Sequence, residues 1–176
     1  MNVYGNACTK EAGCVMAIGA FDGVHRGHQE IIRKMIRKSE LLGIPSAVFT
    51  FDPPPKAFFR AADVLTPVGE KVRRIKKLGV DTVIVASFDR AYTERTASQF
   101  ILDLSAFSPR EIYVGGDFRF GKNRAGDVGL LSTHYIVNKA ETICCDKGAV
   151  ISSTRIRGLM KTGKRKEAVT LLGWPV

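Results

Sequence analysis

Two histidines three residues apart, His25 and His28, lie in the segment Gly19-Ala20-Phe21-Asp22-Gly23-Val24-His25-Arg26-Gly27-His28, where an apolar run gives way to a helical pattern. Gly23 permits a tight turn there, and Gly27 lets a ligand come close to the backbone. The first turn of the following helix offers unpaired N–H groups and the positive end of its dipole to an anion. At this spacing both imidazoles can point to the same side. A pair of histidines can also bind a metal, but no HExxH pattern and no further Cys or His at ligand spacing accompanies them. The chemistry this segment suits is phosphate binding.

Two further segments carry residues of chemical interest. Near the end of the chain, Ser153 reads as the N-cap of a helix, and Arg157, four residues on, can reach back towards a bound phosphate. A guanidinium matches phosphate oxygens with its planar fork. Taken alone, this pattern fits a capped helix with a surface arginine equally well. The stretch GGDFRFGKNRAGD (Gly115–Asp127) sets Phe118 and Phe120 among glycines and charges. It reads either as a flexible surface loop or as one that offers ring faces to an aromatic ligand.

The elements that must position these residues alternate. Residues 14–21 form a compact apolar run ending at Asp22-Gly23, which suits a buried strand. A helix is expected over 29–42, with Ile31, Ile32, Met35 and Ile36 on one face and basic residues opposite, stopped by Gly43 and Pro45. Strands are expected at 47–51, 81–88 and 111–114, and helices at 70–78 and, behind the capping-box pair Thr96 and Gln99, through Leu104. A proline-broken loop is expected over 52–67. A weaker helix, a strand near 141–145 and two short helices separated by Gly163 complete the pattern. This order implies an α/β fold: a Rossmann-like, doubly wound parallel sheet with a short helical C-terminal tail. In such sheets ligands bind beyond the carboxyl ends of the strands. Three loops rich in Gly, Asp, His and Arg lie at those ends, over 22–28, 52–63 and 115–127.

Composition narrows the class further. The chain has 176 residues, 45% of them hydrophobic and 25% charged, as a globular domain does. No apolar run is long enough to cross a bilayer, and the first residues lack signal-peptide order. Cys8, Cys14, Cys144 and Cys145 lack metal-ligand spacing and read as free thiols in a reducing compartment, which points to the cytoplasm. The formal charge of +10 favours anionic partners, although the basic clusters over 33–38, 71–77 and 155–166 are expected mainly on solvated helix faces.

At this point the segments together resemble a family. GAFDGVHRGH is similar to the GxFDGVHxGH signature of bacterial FAD synthetases, within the HxGH nucleotidyltransferases. TFDPPPKAFF (Thr50–Phe59), LTPVGEK (Leu65–Lys71), GGDFRFGKNRAGD, ISSTRIR (Ile151–Arg157) and LLGWPV follow in the family's order. One departure is Pro54, where the family commonly has a histidine between prolines. Many members continue into a riboflavin kinase module. Here the expected organisation is a single FMN adenylyltransferase-like domain over 1–176, without that module.

The resemblance implies transfer of AMP from ATP to FMN, giving FAD and pyrophosphate, with Mg²⁺ bridged through substrate oxygens and not held by a dedicated carboxylate cage. It implies His25, His28 and Arg157 as the catalytic set. Gly19, Phe21, Asp22 and Gly23 would shape the ATP pocket, with Ser153, Thr154 and Arg157 on the β- and γ-phosphates. Phe51, Phe58, Asp117, Phe118 and Phe120 fall on the flavin side. No nucleic-acid or membrane partner is expected. Alternatives are an HxGH transferase with another phosphate-bearing acceptor, a nucleotide-binding regulator without activity, or a nucleic-acid-binding module, for which no helix-turn-helix, zinc finger or aromatic RNA-binding signature is present.

Overall fold

A computed structural model describes residues 1–5, 8–60, 62–146 and 148–174. At its centre lies β2 (Cys14–Ile18), every residue of which is buried. An uninterrupted apolar run is what a strand covered on both faces requires. Flanking it in parallel are β3 (Ser46–Asp52) and β5 (Pro109–Val114). The parallel sheet extends through β4 (Thr82–Ser87) beyond β3 and β8 (Ile136–Lys139) beyond β5. A short β1 (Asn2–Tyr4) pairs antiparallel with β4, giving the order β1-β4-β3-β2-β5-β8. A separate two-stranded ribbon is made by β6 (Arg119–Phe120) and β7 (Gly126–Asp127).

Side chains alternate between the faces along each strand. On one face Met16, Ile18, Phe49, Ile84, Ile112 and Val114 pack under Phe100 and Leu104 of α5 (Ala97–Ser105) and Leu131 of α6 (Val128–Ser132). On the other, Val15, Ala17, Val48, Val83 and Val85 pack under Ile32 and Met35 of α1 (Arg26–Leu42) and Val72 and Ile75 of α3 (Val68–Lys77). A third small core joins α7 (Ser153–Lys161) to α8 (Arg165–Leu172) through Ile156, Ala168, Leu171 and Leu172. Helices thus cover both faces of a mainly parallel sheet, which is the doubly wound architecture read from the sequence. The chain moves from β2 outward through β3 to β4, then returns to β5 on the far side of β2. The order therefore reverses between β2 and β5. A crevice forms at such a point because the two outgoing loops turn opposite ways.

Several local expectations are corrected. The proline-rich loop contains α2 (Pro55–Arg60), since Pro55 supplies the fixed φ that suits a first helical position and the Pro54 carbonyl accepts from Ala57 N and Phe58 N at 2.8 and 3.1 Å. A short α4 (Arg90–Thr93), N-capped by Asp89, follows β4. The last strand is Ile136–Lys139, not 141–145, where Cys144 makes only an isolated bridge to Val150. As a sheet edge, β8 is half solvated and needs no continuous apolar run. The N-cap of α7 is Ser152, whose side chain accepts from Arg155 N at 3.3 Å, so Ser153 is released for another role. The capping box of Thr96 and Gln99 is present in both directions. The basic segment over 71–77 is not wholly solvated, because Lys71 and Arg74 are buried.

Candidate active site

The loop from β2 to α1 is wound left-handed. Phe21, Gly23 and Val24 take φ values of 46°, 87° and 46°. For Phe21 and the β-branched Val24 this is strained backbone, and such strain persists only where the surroundings impose it. The surroundings do so by claiming its carbonyls in turn. Lys71 Nζ donates to Ala20 O at 3.2 Å, and Ser153 Oγ donates to Asp22 O at 2.9 Å. Arg74 donates to Gly23 O at 3.1 Å. Gln29 Nε2 and Trp174 Nε1 donate to Val24 O at 2.9 and 2.8 Å. With its carbonyls held by donors from α1, α3, α7 and the tail, the loop is left to present N–H groups and imidazoles.

His25 is the N-cap of α1, and its Nδ1 accepts from His28 N at 3.3 Å. That bond puts the neutral ring's proton on Nε2. The two imidazoles stack with centroids 3.5 Å apart and planes 18° apart, and Phe21 meets His28 edge-on at 5.3 Å. Gly27 serves this stack: a Cβ there would sit 3.2 Å from His25 Nδ1. Gly19 similarly leaves room for the Phe21 ring, 3.1 Å from where a Cβ would lie. Burial lowers the His25 pKa to about 4, and burial, with the neighbouring His25 and the Lys71 charge, sets that of His28 well below its usual value. Both rings are neutral at pH 7, so what they offer an anion is donated hydrogen bonds and not net charge. His28 Nδ1 is buried with no partner. A native fold rarely tolerates an unsatisfied buried polar group without a functional reason.

The second side of the site comes from the end of the chain. The Ile151 carbonyl lies 3.6 Å from where a Gly27 Cβ would be, so the N-terminus of α7 stands beside that of α1. Two positive helix ends therefore lie side by side. Thr154 is exposed in the first turn of α7, whereas Ser153 is drawn to Asp22. Arg157 is 9% exposed, with NH2 on Asp22 Oδ2 at 2.5 Å and Nε on the Asp63 carbonyl at 2.6 Å. Asp22 also accepts from Leu65 N at 3.0 Å. Asp22 is therefore a junction that ties three segments together.

The aromatic residues divide. Phe51 and Phe120 are 7% and 6% exposed and belong to the core. Phe118 stacks on Phe120 at 5.6 Å and is only partly buried, while Phe58 is 40% exposed against Phe88, and Asp117 is exposed. Rings pass continuously from Phe58 through Phe88, Phe51, Phe49 and Phe100 to Phe118, which joins the loops after β3 and β5 across one face. Lys71, Arg74, Gln29 and Trp174 are holders of the site that pattern reasoning missed. Their signal was weak: a lysine and an arginine in a basic helix, and a glutamine at a helical spacing otherwise filled by apolar residues.

The FAD synthetase family model matches residues 8–155. A Geobacillus thermodenitrificans protein designated a bifunctional riboflavin kinase/FMN adenylyltransferase is 48% identical over 93% of this chain and 92% of its own length. The Escherichia coli K12 bifunctional riboflavin kinase/FMN adenylyltransferase is 37% identical over 94% of this chain, which spans 56% of that relative. Among solved structures, a Streptococcus pneumoniae chain described as a macrolide-efflux protein superposes with a TM-score of 0.82 at 30% identity, over 93% of this chain and 57% of that one. Among the described residues here, no helix is long and apolar enough to cross a membrane. With the family model matching most of its length and a relative nearly half identical along it, this chain belongs to the FAD synthetase family.

Proposed function

We propose that this chain transfers the adenylyl group of ATP to FMN, forming FAD and pyrophosphate. The observation that carries the reading is the pair of adjacent helix N-termini, α1 and α7, with the stacked neutral imidazoles of His25 and His28 at the point where strand order reverses. A phosphate monoester is already anionic at neutral pH, so the reaction needs no strong base. A phosphate oxygen of FMN bonds to the α-phosphorus of ATP as the bond to the β-phosphate oxygen breaks. Positioning and electrostatic stabilisation do the catalytic work.

In this reading the Nε2–H of His25 and the ring of His28 hold the phosphoryl oxygens, together with backbone N–H groups of α1 and α7. Gly19, Phe21, Asp22 and Gly23 shape the nucleotide pocket, Ser153 and Thr154 open the triphosphate side, and Arg157 anchors its wall through Asp22. Phe58, Phe118 and Asp117 face the flavin, with Phe51 and Phe120 as the layer beneath. Asp22 is committed to Arg157, and in this reading Mg²⁺ enters as MgATP, held by phosphate oxygens and water. The residues act as one catalytic domain. That Cys8, Cys14, Cys144 and Cys145 stand in no disulfide supports a reducing, cytosolic setting.

The test is incubation with α-labelled ATP, Mg²⁺ and a panel of acceptors: FMN, riboflavin, nicotinamide mononucleotide and phosphopantetheine. Labelled FAD from FMN alone is the expected result. Label on another acceptor, or on none, overturns the assignment.

A further inference from the structure

Lys71, on α3, has no exposed surface. Its Nζ donates to the carbonyls of Phe51 and Ala20 at 2.6 and 3.2 Å, and lies 3.5 Å from Thr50 Oγ1, which itself donates to Ala20 O at 3.0 Å. An ammonium has three protons, and here they face three oxygens. Ala20 lies in the loop just beyond β2 and Phe51 near the end of β3, so one buried cation bridges the exits of two neighbouring parallel strands. The first exit leads to His25 and His28, and the second to the proline loop and Phe58. Burying a charge is costly, and packing alone is served better by an apolar side chain.

We propose that Lys71 is a positioning residue for adenylyl transfer: by tying Ala20 to Phe51 it sets the phosphate-binding loop against the acceptor loop, so that donor and acceptor meet in line. The proposal rests on the adenylyl-transfer reading. Lys71 touches no substrate, since its ammonium is enclosed and its acceptors are all protein oxygens.

The charges around it fit this role. Asp22, paired with Arg157, faces it from the loop after β2, Asp52 from the end of β3 and His28 from α1, while Glu70 on its own helix is paired with Arg73 and Arg74. Burial lowers the Lys71 pKa to about 8, against the opposing pull of Asp22 and Asp52. The ammonium is therefore present through neutral pH and is lost as pH rises through about 8, leaving two protons for three acceptors.

Lys71→Met separates positioning from binding. With the fold checked by circular dichroism, kcat for FAD formation is expected to fall about 10²-fold, the cost of a misalignment near 1 Å, while calorimetric dissociation constants for ATP and FMN taken singly stay within about threefold. A folded Lys71→Met with near-normal kcat overturns the proposal, as does a loss confined to the KM of one substrate. Should the variant not fold, the wild-type chain decides. Its kcat should decline on the alkaline side with a midpoint near pH 8, where Lys71 loses its proton, while each substrate's dissociation constant does not follow. A kcat that is flat across that range overturns the proposal. A wild-type chain that forms no FAD removes the adenylyl-transfer reading and this proposal together, whereas an active wild type with an equally active Lys71→Met removes only the proposal.

Discussion

Arg157 and Asp22, separated by 135 positions in the chain, form a buried ion pair at 2.5 Å, with the arginine's Nε held in turn by the Asp63 carbonyl. Through this contact α7 locks onto the left-handed loop ahead of α1, and the two helix N-termini are brought side by side. A lysine keeps the charge but cannot reach both acceptors with a planar fork. Arg157→Lys should therefore lose about 1–3 kcal/mol of stability and also weaken ATP binding. Urea denaturation and ATP calorimetry on the same samples test this. An unchanged unfolding midpoint with weakened ATP binding would mean that the arginine serves the ligand alone.

His28→Ala should leave the fold nearly intact, because the residue is only partly buried and its Nδ1 has no partner to lose. Adenylyl transfer should fall roughly 10²-fold or more, as when a preorganised donor is removed from a transition state. A folded variant that turns over normally would sink the assignment.

Gly27→Ala pits stability against activity. Alanine in the first turn of α1 improves helix propensity by up to about 1 kcal/mol. Its Cβ would lie 3.2 and 3.3 Å from His25 Nδ1 and Cε1, so the ring must shift by a few tenths of an ångström. The expected variant melts no lower than wild type yet has a kcat reduced on the order of tenfold, because alignment in the site is degraded. Wild-type kcat in Gly27→Ala would show that the histidine stack tolerates displacement.

The buried neutral His25 makes stability depend on pH. Its folded pKa, about 4, lies below its ordinary value of 6.5, so between these limits the unfolded chain binds more protons than the folded one. The contribution is fully present above about pH 6.5 and is lost as pH falls towards 4, amounting to on the order of 3 kcal/mol. Denaturant midpoints measured across this range should fall with pH, and His25→Asn, which does not titrate, should flatten that slope. Parallel slopes in both proteins would contradict a neutral His25.

The aromatic residues should separate by burial. Phe120→Ala removes a 6% exposed core ring packed 4.9 Å from Phe100 and is expected to cost about 3–5 kcal/mol. Phe58→Ala, at a 40% exposed position, should cost little stability but weaken FMN binding, read as reduced quenching of flavin fluorescence. If Phe58→Ala binds FMN as tightly as wild type, the acceptor does not lie against the loop after β3.

The chemistry that the loop from β2 to α1 offers was legible in the residues themselves. An apolar run, a Gly-Asp turn and two histidines at the start of a helix depend only on neighbours in sequence, and local geometry is what such patterns encode. The strands at 47–51, 81–88 and 111–114 and the capping box of Thr96 were legible for the same reason. The short edge strands β1 and β8 were not, because they exist only by pairing with β4 and β5. Nor does any pattern show that Ser153 caps nothing and instead holds Asp22, that Arg157 is spent first on Asp22 and Asp63, or that Phe51 and Phe120 lie in the core while Phe58 does not. The sequence by itself determined which residue types stand at the strand ends and hence that their chemistry suits an anion. Tertiary structure alone decided which of them hold the loop in shape, because a donor such as Lys71 or Arg157 finds its acceptor only when distant strand exits and helix ends are packed against one another.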